Sequence, residues 1–178
     1  MRLFISFSAR QTGNCAETAR HLSTEGDRIV HYASLHAQGC ANCAYECFTG
    51  ECPYRADGVY ALYQAMTQAE QTVLLVPMYG GHPSSLYFSF CERGQGFFAD
   101  EAAWDAVIRR LYIIGIYGSA AETPDFVPGL EKWFAGSPYT GRVLGLERHA
   151  YGQKMQDLLL DVPDVRRKLT AFLQSKSG

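Results

Sequence analysis

The sequence lacks the features that mark several large classes of protein. Only 19% of its 178 residues are charged, the formal net charge is −2, and no long basic run occurs. Proteins that bind nucleic acid or an anionic membrane need a concentrated positive surface. No apolar run approaches the roughly 20 residues of a membrane span, and the first residues do not follow the pattern of a signal peptide. We therefore expect a cytoplasmic protein without nucleic-acid or membrane partners.

A polar turn near the start of the chain lacks both common glycine signatures of nucleotide binding. The turn follows an apolar strand and opens a helix, but it contains neither Gly-x-Gly-x-x-Gly nor Gly-Lys-Ser/Thr. A helix N-terminus after such a turn suits a single phosphate group, because backbone N–H groups and the helix dipole meet there. An ordinary turn with an N-cap at Thr12 or Asn14 explains the same pattern. The residues that fit a phosphate are Ser8, Arg10, Thr12 and Gly13.

Strands and helices alternate along the chain, which predicts an α/β protein with a parallel sheet. The length and the 47% apolar content suit one compact domain over residues 1–178. The predicted strands are 2–7, 28–33, 71–76, 111–117 and 142–147. The predicted helices are about 14–23, 57–69, 84–92, 100–109, 124–135 and 160–174.

The segments that follow two further predicted strands are also candidates for ligand binding. In an open parallel sheet, ligands bind at the carboxyl ends of the strands, so these segments are expected on the same edge. An aromatic residue between proline and glycine can lie against a flat heterocycle, and a phosphate with a planar ring suggests a mononucleotide such as a flavin. The residues after strand 71–76 are Pro77, Met78, Tyr79, Gly80 and Gly81, and those at the end of strand 111–117 are Tyr117, Gly118 and Ser119. His82 lies beside the first segment and is a candidate to stabilise charge on a reduced flavin, although an ordinary loop histidine fits as well.

Four of the six cysteines fall within thirteen residues, in a loop over about 37–56. They are spaced as Cys40-x2-Cys43-x3-Cys47-x4-Cys52. In a reducing compartment such a cluster favours a metal or redox site over a structural disulfide framework. The close spacing favours an iron–sulfur cluster among the metals. Zinc, or free and disulfide-forming thiols, remain alternatives.

These motifs, taken in order, resemble the NAD(P)H-dependent FMN reductases of the flavodoxin-like proteins, and in particular their iron–sulfur flavoprotein branch. The resemblance runs from residue 1 to about residue 95. Its first motif is Ser8-x-Arg10-x-x-Gly13-Asn14, followed by the cysteine loop and by Pro77-Met78-Tyr79-Gly80. Its last is the helix Leu86–Arg93.

The resemblance implies a doubly wound five-stranded parallel sheet of order 2-1-3-4-5, with helices on both faces. It assigns the FMN phosphate to the first turn and the isoalloxazine ring to the segment after strand 71–76. The matching phosphate residues are Ser8, Arg10, Gly13, Asn14 and Cys15, where the family usually has Ser or Thr in place of Cys15. It makes Cys40, Cys43, Cys47 and Cys52 candidate ligands of a [4Fe-4S] cluster, although the middle spacing is one residue longer here.

The sequence thus predicts an oxidoreductase that passes electrons from NAD(P)H or a reduced carrier through FMN to an acceptor. NAD(P)H has no visible motif and follows from the resemblance alone. An electron carrier without turnover of a small molecule, and a zinc or thiol redox switch on the same scaffold, are alternatives. The resemblance also implies a homodimer or homotetramer, for which the aromatic stretch Tyr87–Phe98 is the candidate contact.

Overall fold

The computed structural model describes residues 1–41, 43–49 and 51–174. Asn42 and Gly50, in the predicted cysteine loop, and residues 175–178, at the end of the predicted domain, lie outside the described residues. Along the described chain, no helix is long and apolar enough to cross a membrane.

Five parallel strands form the central sheet. They are β1 (Arg2–Ser6), β2 (Arg28–His31), β3 (Gln71–Tyr79), β5 (Leu111–Tyr117) and β6 (Val143–Glu147), and a two-residue strand β4 (His82–Pro83) pairs antiparallel with the end of β3. The order across the sheet is β2-β1-β3-β5-β6. Counting the parallel strands alone, this is the order 2-1-3-4-5, so the predicted flavodoxin-like α/β fold is confirmed.

Helices cover both faces of the sheet. They are α1 (Asn14–Leu22), α2 (Val59–Gln68), α3 (Ser85–Arg93), α4 (Gln95–Phe98), α5 (Glu101–Ile108), α6 (Phe126–Glu131) and α7 (Pro163–Gln174). Successive residues of a strand point to opposite faces; accordingly Leu74 packs on the side of α2, α3, α5 and α6, whereas Leu75 packs on the side of α1 and α7. The near-continuous apolar strands of the sequence are explained by this double cover.

β3 is longer than its apolar run predicts. The sequence ends this strand at Val76, but the structure continues it through Tyr79, which pairs with His82 across Gly80 and Gly81. Both glycines have positive φ, 57° and 86°, and two such residues in a row favour the tight hairpin turn whose twist matches paired strands. The segment predicted as a ring-binding loop is therefore a strand end with a hairpin.

Two of the predicted helices are also shorter, and one helix was missed. The predicted helix at 124–135 is α6 followed by a 3-10 turn (Lys132–Phe134), and the predicted helix at 160–174 begins only at Pro163. A proline is well placed at a helix start because it has no N–H to donate. α4 escaped prediction because four residues are too few to show a helical period.

The aromatic stretch after β4 is mostly internal packing. Tyr87 and Phe90 are buried, and the Phe97 and Phe98 rings contact Tyr63 at 5.2 and 5.0 Å between centroids. Phe88 is 46% exposed. A contact between subunits at this stretch stays a prediction, with Phe88 as its most exposed ring.

Candidate functional site

A cavity of about 310 Å³ opens at the carboxyl ends of β1, β3 and β5. This is the edge at which open parallel sheets bind ligands. The cavity is lined by Ser8, Arg10, Asn14, Cys15, Pro77, Met78, Tyr79, Gly80, Ile116, Tyr117, Gly118, Arg148 and Met155. Two arginines and no carboxylate are among these lining residues, so the cavity favours an anionic ligand.

One end of the cavity lies at the N-terminus of α1. The Ser8 hydroxyl accepts a hydrogen bond from the Arg10 backbone N–H at 3.1 Å, which folds the turn back on itself. Gly13, at φ 101°, precedes the helix and has no capping side chain. The first N–H groups of a helix have no partner within the helix, so this end can receive an anion beside the Arg10 side chain.

Asn14 takes part in a different contact from the one that the motif suggests. Its side-chain amide donates to the Asp157 carbonyl at 3.2 Å, and its side-chain oxygen accepts from the Leu159 N–H at 2.7 Å. Asn14 therefore ties α1 to the segment before α7. Its side chain lines the cavity but is already hydrogen-bonded to the protein.

The Cys15 thiol is buried under the same turn. Burial raises its pKa to about 12, although the nearby Arg10 charge opposes the shift. The side chain therefore stays a neutral thiol at neutral pH and adds no negative charge beside a bound anion.

Another part of the cavity wall is formed by the end of β3 and the end of β5. Tyr79 is 43% exposed, and its hydroxyl lies 3.2 Å from the Ser8 hydroxyl. A Cβ on Gly80 would meet no atom within 4 Å apart from those of its chain neighbours, so the hairpin is open at this position. At Gly118 a Cβ would lie 3.3 Å from the Arg148 guanidinium, so a side chain there would push the arginine aside.

The structure brings together most of the predicted binding residues. The predicted residues that line the cavity are Ser8, Arg10, Asn14, Cys15, Pro77, Met78, Tyr79, Gly80, Tyr117 and Gly118. The predicted residues that do not line it are Thr12, Gly13, Gly81 and Ser119. Thr12 is exposed, and the Ser119 carbonyl accepts hydrogen bonds from Thr123. His82 is exposed and does not line the cavity.

Three lining residues were not among the candidate binding residues. Ile116, Arg148 and Met155 reach the cavity from the end of β5 and from the segment after β6. The position of Arg148 directly after a strand was the available signal, because every parallel strand ends at this edge.

The predicted cysteine loop is held in place by a buried arginine. The side chain of Arg93 is fully buried and forms an ion pair with Asp57. Its guanidinium also donates to the carbonyls of Gln38 at 2.7 Å and Tyr54 at 2.8 Å, and approaches the Cys52 sulfur at 3.8 Å. Arg93 therefore fastens both ends of the loop to α3.

The four cysteines of this loop differ in exposure and in the groups that they contact. Cys40 is exposed and its thiol donates to the Glu92 carbonyl at 3.2 Å, Cys52 is buried beside the guanidinium, and Cys43 and Cys47 are half-buried. All six cysteines are free thiols. Within the described ranges, no group of three or more cysteine, histidine or acidic side chains is placed to hold a metal ion. The residues present do not fit the predicted [4Fe-4S] cluster in this arrangement.

The fold is shared with several solved structures, although no protein-family model and no curated protein matches the chain. The Trp repressor binding protein of Bacillus subtilis superposes with a TM-score of 0.66 at 13% identity, covering 98% of this chain and 97% of that one. An FMN-dependent NADH-azoreductase of Bacillus anthracis, solved with FMN, gives 0.64 at 10% identity, covering 97% and 99%. An NADPH-quinone reductase of P. pentosaceus gives 0.59 at 14% identity, covering 99% and 97%.

Proposed function

We propose that the protein is an FMN-dependent oxidoreductase that takes electrons from NADH or NADPH and passes them to a second acceptor. One observation carries the proposal. A single cavity joins the turn before α1, which suits a phosphate, to the open wall formed by Tyr79, Gly80 and Gly118. FMN has a phosphate at one end and a planar ring at the other.

The chemistry of the lining residues fits this cofactor. The doubly charged phosphate requires positive charge and N–H donors, which Arg10 and the α1 N-terminus supply. The ring requires an open slot with few side chains; the Cβ position of Gly80 is open, and Gly118 leaves the space beside it to the Arg148 guanidinium. When bound, FMN supplies the hydride and electron chemistry, while the protein supplies position and charge.

The named activities of the structural neighbours support the same proposal. The azoreductase and the quinone reductase are described as NADH- and NADPH-dependent, and the azoreductase holds FMN. At 10% to 14% identity these likenesses establish the fold. The choice of donor and acceptor for this chain rests on experiment.

The iron–sulfur part of the expectation has no geometric support, because the four thiols are dispersed. The proposed electron path therefore runs through FMN alone. Iron and zinc content, measured on protein purified without oxygen, tests the prediction that the cysteine loop holds a metal. About four iron atoms per chain would require the loop to rearrange around a cluster.

The proposed function is tested by turnover. FMN-loaded protein should oxidise NADH or NADPH many times per chain when a quinone or an azo dye is present. Free FMN at the same concentration is the control for nonenzymatic reaction. Binding of FMN followed by only one round of reduction, with no turnover on either acceptor, would favour a carrier of electrons between proteins. Failure to bind FMN would overturn the proposal.

A further inference from the structure

Two positive side chains, Arg10 and Arg148, line the cavity at different strand ends. Arg10 is beside the turn before α1, where its guanidinium carbon would lie 3.8 Å from a Cβ on Gly13. Arg148 is beside Gly118, at the open wall. A phosphate explains the first arginine, but the second stands at the end that the ring would occupy.

The main chain holds Arg148 in position. Its N–H donates to the Tyr117 carbonyl at 2.9 Å, and the N–H of His149 donates to the Gly118 carbonyl at 3.0 Å. The Arg148 guanidinium donates to the Gln153 carbonyl at 3.3 Å. These hydrogen bonds attach the segment after β6 to the end of β5, where Arg148 lines the cavity.

The charge of Arg148 is not neutralised by the protein. Six ion pairs are formed among the described residues, and none includes Arg148. The neighbouring acid, Glu147, accepts a hydrogen bond from the Ala120 N–H at 2.9 Å. A cation without a carboxylate partner on a cavity wall is available to a ligand that carries or develops negative charge.

We propose that Arg148 stabilises the negative charge that the flavin ring gains when it is reduced. This inference rests on the proposed FMN site. A hydride transferred from NAD(P)H brings two electrons and one hydrogen to ring nitrogen N5, and the donor leaves as NAD(P)⁺. The ring then carries one negative charge, shared between N1 and the C2 carbonyl oxygen. The oxidised ring is neutral, so the Arg148 charge favours the reduced form.

This differential effect separates Arg148 from Arg10. The phosphate keeps its charge in both oxidation states, so a cation beside it strengthens the binding of both forms about equally. A cation beside the ring strengthens the binding of the reduced form more. By linkage, that difference appears as a higher midpoint potential of the bound flavin.

The test compares Arg148→Met and Arg148→Lys with the original protein, each loaded with FMN. Arg167→Met is the matched control, because Arg167 is exposed on α7 and its loss changes the net charge equally. The midpoint potential is measured by anaerobic spectroelectrochemistry, and the dissociation constant of oxidised FMN by fluorescence titration.

We expect Arg148→Met to weaken the binding of reduced FMN relative to oxidised FMN about tenfold, which lowers a two-electron midpoint potential by about 30 mV. Arg148→Lys should recover most of the potential, and Arg167→Met should leave it unchanged. A second readout is the affinity for sulfite, which adds to N5 and leaves the same negative charge on the ring; Arg148→Met should weaken it.

A potential and a sulfite affinity unchanged in Arg148→Met would overturn the inference while leaving the FMN site intact. Equal weakening of oxidised and reduced FMN would also overturn it, because Arg148 would then only hold the loop in place. Absence of FMN binding in the original protein would instead overturn the proposed function itself.

Discussion

The hydroxyl groups of Ser8 and Tyr79 lie 3.2 Å apart, although the two residues are 71 positions apart in the sequence. Ser8 belongs to the turn before α1, and Tyr79 ends β3. Their contact joins the part of the cavity wall at α1 to the part at the end of β3. The two halves of the proposed FMN site are thus fixed relative to each other before any ligand binds.

A double-mutant cycle measures this connection. Tyr79→Phe and Ser8→Ala should each weaken FMN binding severalfold. The double variant should lose less binding free energy than the two single variants lose together. The coupling expected for one neutral hydrogen bond is about 0.5–1.5 kcal/mol. Fluorescence titration with FMN gives the four dissociation constants. Additive effects would mean that the two hydroxyl groups act independently.

Removal of the charge at residue 10 should discriminate between flavins. Arg10→Met is expected to weaken FMN binding about tenfold to a hundredfold, the range for a hydrogen bond to a charged group. Riboflavin has the same ring but no phosphate, so its affinity should not change. The two ligands are titrated in parallel by fluorescence quenching. Equal losses for both would place Arg10 away from the phosphate.

A glycine in α4 tests how the cysteine loop is packed. A Cβ on Gly96 would lie 2.6 Å from both the Cβ and the carbonyl oxygen of Cys47. Because the backbone of the loop would have to move to make room for this Cβ, Gly96→Ala should lower the free energy of unfolding by about 1–3 kcal/mol.

The matched control for this substitution is Gly129→Ala in α6, where a Cβ would meet nothing within 4 Å. An alanine is a better helix former than glycine, so this variant should be neutral or more stable by up to about 1 kcal/mol. Urea unfolding measures both variants. A Gly96→Ala protein as stable as the original would show that the loop does not pack on α4.

Asp27 should make part of the free energy of unfolding depend on pH in the acidic range. Partial burial by itself raises the pKa of this carboxyl group, but hydrogen bonds from Arg2 and Thr24 outweigh that effect and hold the pKa well below its ordinary value. A carboxylate with a depressed pKa adds stability above its unfolded pKa of about 4, and this stability is lost as the pH falls toward the folded value.

Asp27→Asn should therefore cost about 2 kcal/mol at pH 7, and the difference from the original protein should shrink below about pH 4. Urea unfolding at a series of pH values gives this difference directly. A gap that stays constant down to pH 2 would contradict the depressed pKa.

Most of the fold follows from the sequence because its strands are covered on both faces. The runs at residues 71–76 and 111–117 are almost wholly apolar, which predicts central parallel strands, and both are found there. The end of β3 was mispredicted because Tyr79 and His82 pair only through the hairpin at Gly80 and Gly81, and a two-residue strand has no periodic pattern.

Part of the candidate site could likewise be predicted from the sequence, and part could not. The turn before α1 and the Tyr79–Gly80 segment could be predicted, since each follows a strand and has a distinctive composition. Arg148 was not among the candidate binding residues, because its position beside Gly118 depends on the register that sets β6 beside β5. The positions of the four thiols were also beyond the sequence, because contacts such as that between Cys52 and Arg93 join residues 41 positions apart.

The proposed function depends most directly on whether NAD(P)H reduces an FMN bound in this cavity. The decisive measurement is the visible spectrum of the protein mixed with FMN and freed of unbound flavin, recorded without oxygen before and after NADH or NADPH is added. We expect about one FMN per chain and loss of the flavin absorbance with either nucleotide. A protein that retains no FMN, or whose bound FMN neither nucleotide reduces, would contradict it.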